Sequence, residues 1–122
     1  MIRRMKRALL WDKVLSLEAR ADFPTALEKL AGMSSIEPLR SYERALNATL
    51  LLRNGDYKRA ESELRLLICD LSNETPDNKK YVRLYCEHIL ATIEGDLDRK
   101  REAGRMARKL DCSSSLKRWL PL

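Results

Sequence analysis

Three thiols and one imidazole, Cys69, Cys86, Cys112 and His88, are the side chains of this 122-residue chain that could ligate zinc or serve as nucleophile and base. Their spacing suits neither task. A structural zinc site typically separates its paired ligands by about two to four intervening residues, and a catalytic relay needs a base with an orienting partner. Here the cysteines are odd in number and far apart, and the histidine is single. They read as reduced core or surface thiols, with no metal and no cofactor expected. Glu61 and Glu63 beside Lys58 and Arg59 read as surface ion pairs, individually weak. The chain has no G-x-S-x-G elbow, no phosphate-cradling G-x-x-x-x-G-K, no G-x-G-x-x-G and no C-x-x-C. No catalytic residue is identified, and an enzyme is not expected.

Clustered charge is the remaining chemistry. The chain carries a formal net charge of +6, concentrated at its ends: Arg3, Arg4, Lys6 and Arg7 at the start, and the stretch RKREAGRMARK near the end. Arg99, Arg101, Arg105, Arg108 and Lys109 form a candidate basic patch for nucleic acid or an acidic protein, since clustered cations release counterions on meeting phosphates. The competing reading is a solvated helix face. Leu97, Ala103, Ala107 and Leu110 recur at helical spacing toward a core and leave those cations outside. That reading is preferred, because no recognition motif and no interleaved aromatics accompany the charge.

The elements that would position these groups are helical. Hydrophobic residues make up 44% and charged residues 34%, with only 4 Gly and 4 Pro, which favours an all-α protein. No run approaches the ~20 apolar residues of a membrane-spanning helix, so membrane insertion is not expected. The start, MIRRMKRALLWDKVLSLEAR, has basic residues before an apolar patch, but Asp12, Lys13 and Glu18 interrupt it too early for a secretory segment. It reads as a first structural helix, and a cytoplasmic location is expected.

Within the helical pattern a repeat stands out. Asp22, Phe23, Ala26 and Leu30 recur as Asp56, Tyr57, Ala60 and Leu64, each 34 residues later, and Gly95-Asp96-Leu97 follows Gly55-Asp56-Tyr57 by 40. The six extra residues match the polar segment TPDNKK, a loop insertion. Asn54-Gly55 ends one helix, because glycine accepts the positive φ of a helix end, and Asp56 caps the next. Pro24, Pro38 and Pro76 are placed in first helical turns. Small Ala26 and Ala60 permit close helix approach, and Phe23 and Tyr57 fill the space beside each turn. The pattern predicts helices over 3–20 with 23–34, 39–54 with 56–72 and 78–94 with 96–110. A short capping helix follows over 114–120, all in one domain spanning 1–122, with repeats 3–38, 39–74 and 78–112 and a cap at 113–122.

This pattern resembles the tetratricopeptide repeat family. The resemblance rests on Ala48, Gly55, Tyr57, Ala60, Leu64 and Leu67 in the middle copy and on Phe23, Ala26, Leu30 and Pro38 in the first. The third copy keeps Ala91, Gly95, Leu97 and Ala107, while Lys100 stands where the motif has a small residue and Gly104 where it has a large one. The resemblance implies a right-handed superhelical array of three antiparallel helix hairpins that binds a partner protein in a concave groove. Carried onto this chain, the groove is lined by Ala8, Trp11 and Leu15, by Tyr42, Ala45, Thr49 and Leu52, and by Val82, Tyr85, Ile89 and Ile93. The partner-binding candidates are Trp11, Leu15, Tyr42, Thr49, Leu52, Val82, Tyr85 and Ile89.

Such a groove lacks the Lys, Asn and Arg side chains of a carboxylate clamp, so an apolar amphipathic helix or extended segment is the expected ligand. The expected function is that of a small adaptor or chaperone, similar in size and groove character to the small helical-hairpin chaperones of type III secretion. The alternatives are a ribonucleoprotein accessory factor using the basic ends and a self-associating structural subunit, a homodimer. Exposed apolar surface of this extent does not stay bare. An external ligand, a second copy of the chain, or the C-terminal SSSLKRWLPL folding back through Trp119 and Leu120 would each cover it.

Overall fold

The computed structural model describes residues 2–122 and is all-α, with no strand among the described residues. Its helices are α1 (Ile2–Ala19), α2 (Phe23–Ile36), α3 (Ser41–Arg53), α4 (Tyr57–Asp70), α5 (Asp77–Glu94), α6 (Leu97–Arg108) and α7 (Ser114–Trp119). The expected helices are all present, their ends displaced by at most about two residues, the ordinary scatter where last turns fray.

Three turns share one backbone solution. Asp22, Asp56 and Asp96 each donate their N–H to the carbonyl five residues earlier, Leu17, Leu51 and Ala91, at 2.9 Å. The residue before each Asp is left-handed: Ala21 at φ 59°, Gly55 at 88° and Gly95 at 74°. This bond pattern satisfies carbonyls that the ending helix leaves without partners. The repeated Asp then opens the next helix. The carboxylates of Asp22 and Asp96 accept from the N–H groups of Thr25 at 3.4 Å and Arg99 at 3.1 Å. Asp56 departs from the expectation, since its carboxylate makes no such cap and instead accepts from the Asn54 amide at 3.4 Å.

Four further placements differ from the sequence reading. Pro24 lies in the first turn of α2 as expected, but Pro38 lies in the connection before α3 and Pro76 flanks α5 with ψ 140°. An extended residue just outside a helix suits the fixed φ of proline as well as the first turn does. Tyr57 is 62% exposed rather than packed beside its turn, and Leu97 is 61% exposed. The buried stripe of α6 is formed instead by Ala103, Gly104 and Ala107.

Packing follows the turns. α1 lies on α2, α3 on α4 and α5 on α6, while α2 with α3 and α4 with α5 join successive pairs, and α3 also meets α5. A single connected core runs from Trp11 and Val14 through Leu30, Leu46, Leu50, Leu64 and Leu90 to Leu116 and Leu120 of the C-terminal segment. Ala26, Ala48 and Ala60 are fully buried where neighbouring helices touch. No described helix is long and apolar enough to cross a membrane.

Candidate functional site

The residues expected to line a groove come from α1, α3 and α5, and the structure brings most of them onto one face. Trp11 meets Tyr42 edge to face, ring centroids 5.5 Å apart at 82°. Thr49 and Tyr85 are joined by a hydroxyl–hydroxyl hydrogen bond of 2.8 Å. Thr49 spends its single hydrogen on the Ala45 carbonyl at 3.0 Å, which makes the Tyr85 phenol the donor of that bond. Leu52 and Ile89 flank this pair on a shared cavity of 400 Å³, and Val82 lies beside Tyr42 on another of 320 Å³. Leu15 packs half-buried against the core.

That face is not open. Trp11, Thr49, Val82 and Tyr85 are buried, and of the three coverings left open by the sequence, the structure shows the chain's own C-terminus. Ser113 caps α7 by accepting from the Leu116 N–H at 3.1 Å, and its own N–H reaches Asn78 Oδ1 at 3.1 Å. α7 then carries Trp119 onto the aromatic pair. The indole stacks on Tyr42 at 5.1 Å and 24° and stands edge to face with Trp11 at 5.4 Å and 85°. Leu120 is fully buried, and its carbonyl accepts from the Tyr81 hydroxyl at 2.7 Å. A three-ring cluster, a leucine socket and one phenolic donor thus hold a short peptide segment.

The closure is incomplete. The 400 Å³ cavity persists beside Trp119 and Pro121, floored by Thr49, Leu52, Tyr85 and Ile89 and rimmed by Glu18, Arg53 and Arg118. Burial pushes the Tyr85 phenol up to about 12, so it remains a neutral donor. Burial also raises the Glu18 carboxyl, against the pull of Arg53, whose guanidinium lies 3.6 Å away. An apolar floor with a charged rim suits an amphipathic segment.

The basic patch divides. Arg99 pairs with Glu94 at 3.5 Å and Arg105 with Glu102 at 2.6 Å, while Arg101, Arg108 and Lys109 have no carboxylate partner among the described residues. At the other end, Arg7 is not a surface cation. It is buried in a two-pronged pair with Glu43, at 2.7 and 2.6 Å, and also donates to the Pro38 carbonyl at 3.2 Å. Glu43 Oε1 additionally accepts from the Arg40 N–H at 2.7 Å, fixing the start of α3. Sequence reasoning missed this pair. Its one signal was a glutamate three residues into a helix, which reads as a cap rather than as a counter-ion. Glu61 likewise pairs with Arg65 at 2.9 Å, not with the adjacent Lys58 or Arg59.

No protein-family model, curated protein or solved structure matches this chain.

Proposed function

We propose that the chain is a protein-interaction module, a tetratricopeptide-like array of three helix hairpins that acts as a small cytoplasmic adaptor or chaperone. Its binding face is that of α1, α3 and α5, and its ligand is an apolar helical or extended segment of a partner that takes the place of α7. One observation carries this reading: the face already holds a peptide segment, Leu116 to Leu120, through aromatic stacking, a buried leucine and a hydrogen bond to a main-chain carbonyl. Those contacts reward an aromatic-leucine segment of any chain that presents it in the same way.

A fluorescent peptide of residues 112–122, titrated onto full-length Trp119→Ala, tests it. Saturable binding that survives high salt and is lost when Tyr42→Ala is added identifies the face as a peptide site. Absence of binding would make α7 a structural cap and remove the basis of the reading. Partners captured with Trp119→Ala at high salt then name the natural ligand.

A further inference from the structure

A further cavity, of 340 Å³, lies between α5 and α6, away from the peptide face. It is lined by His88, Leu97, Lys100, Arg101, Gly104 and Arg108. Leu97, Arg101, Gly104 and Arg108 follow one another at steps of three or four along α6, with Lys100 beside Arg101, so one stripe of that helix confronts His88 of α5. No carboxylate lines the cavity. Glu102 pairs with Arg105, and Glu94 with Arg65 and Arg99. The three cations of the lining have no ion-pair partner among the described residues. Three like charges held around one hollow repel one another, an arrangement that an anion relieves.

Gly104 shapes the hollow. A Cβ built there would lie 3.2 Å from Arg108 Nη1 and 3.4 Å from His88 Cδ2, so the guanidinium folds back across a bare Cα to stand beside the imidazole. A mid-helix glycine is less favourable than alanine, and here it makes room for that approach. The imidazole is itself incomplete: His88 Nδ1 is buried and has no hydrogen-bond partner. Burial, Lys100 and Arg108 all hold its pKa below the ordinary value, so the ring is neutral at pH 7 and does not add to the repulsion.

We infer that this cavity is a binding site for a phosphate monoester dianion. Arg108 and Arg101 supply guanidinium forks that match phosphate oxygens, Lys100 a mobile point charge, and Leu97, exposed at the rim, an apolar contact for the group that carries the phosphate. The site is compact and lacks the aromatic platforms of a single-strand channel, which favours one phosphate over a nucleic-acid backbone. It stands independently of the peptide face.

The test is an NMR titration of the full-length protein with inorganic phosphate and, in parallel, with O-phospho-L-serine. The expected result is saturable movement of the His88 imidazole and the α6 backbone signals, weakened at least tenfold by Arg108→Gln and unchanged by Arg105→Gln. Both substitutions remove one exposed cation from α6, so only a built site distinguishes them. Equal affinities would identify free phosphate as sufficient, and tighter phosphoserine would point to a phosphate carried on a larger molecule. Equal losses in the two variants, no saturation, or a clear preference for a single-stranded oligonucleotide would overturn the assignment.

Discussion

Arg7 and Glu43 show what one misplaced charge would do to this fold. Their pairing offsets a desolvation cost that either ion alone could not bear, so removing one partner strands the other in the core. Arg7→Met or Glu43→Leu is expected to lower the unfolding free energy by about 3–5 kcal/mol, and the double variant Arg7→Met/Glu43→Leu by clearly less than the two combined. Urea titrations of the four proteins give the coupling; additive losses would mean that the pair is not a unit. The buried phenol and thiol act through pH. Burial moves Tyr85 from 10.0 and Cys86 from 9.0, both to about 12. Between those values the folded chain keeps protons that the unfolded chain has released. Stability is therefore full below about pH 9 and falls as the pH climbs toward the folded values. Melting curves from pH 8 to 11.5 should show this decline, and Tyr85→Phe/Cys86→Ala should flatten it. A decline just as steep in the double variant would assign it to other groups.

At the scale of elements, the hairpin turns offer a substitution pair of opposite sign. Gly95 sits at φ 74° with nothing within 4 Å of a built Cβ, so Gly95→Ala introduces only backbone strain and is expected to destabilise by about 1 kcal/mol. Ala21 already carries that strain at φ 59°, and Ala21→Gly is expected to stabilise by about 0.5 kcal/mol once the extra freedom of glycine in the unfolded chain is counted. Chemical denaturation of both variants checks the signs. These turns were legible in the sequence because Gly-Asp states a local requirement, a left-handed residue followed by a capping one, and local requirements recur with the repeat. The first copy hid it, since Ala21 meets the same geometry without the residue type that announces it. Pro38 and Pro76 were misplaced because proline is equally content just inside or just outside a helix. The peptide face was legible as an apolar set, and its covering by Trp119 and Leu120 only as one of three alternatives. Trp119 reaches Trp11 and Tyr42 only after the whole array has brought α1, α3 and the C-terminus together, and Arg7 meets Glu43 across 36 residues by the same route. Pattern within a helix says which side is apolar, and nothing about which distant segment will lie on it.

For the whole molecule, the proposed function makes the covering segment the element that sets how strongly the face can bind a partner. α7 is a helix of 6 residues, held mainly by Leu116, Trp119 and Leu120, and these are a minor part of a core built mostly from α1 to α6. A closure of about 3 kcal/mol would keep roughly 1% of molecules open and weaken any competing ligand about 100-fold. Trp119→Ala removes a half-buried ring worth about 2 kcal/mol of that closure. The same change should therefore lower thermal stability and tighten a ligand of the face roughly 30-fold, two effects that a merely damaged fold would not combine. Hydrogen exchange separates the outcomes. In the wild type, amides of residues 115–120 should open at a free energy well below that of α3 and α5. Adding the peptide of residues 112–122 in excess should hasten exchange of the chain's own tail while α3 stays protected. If the tail instead opens only with global unfolding, α7 belongs to the cooperative core, and the face is closed to partners.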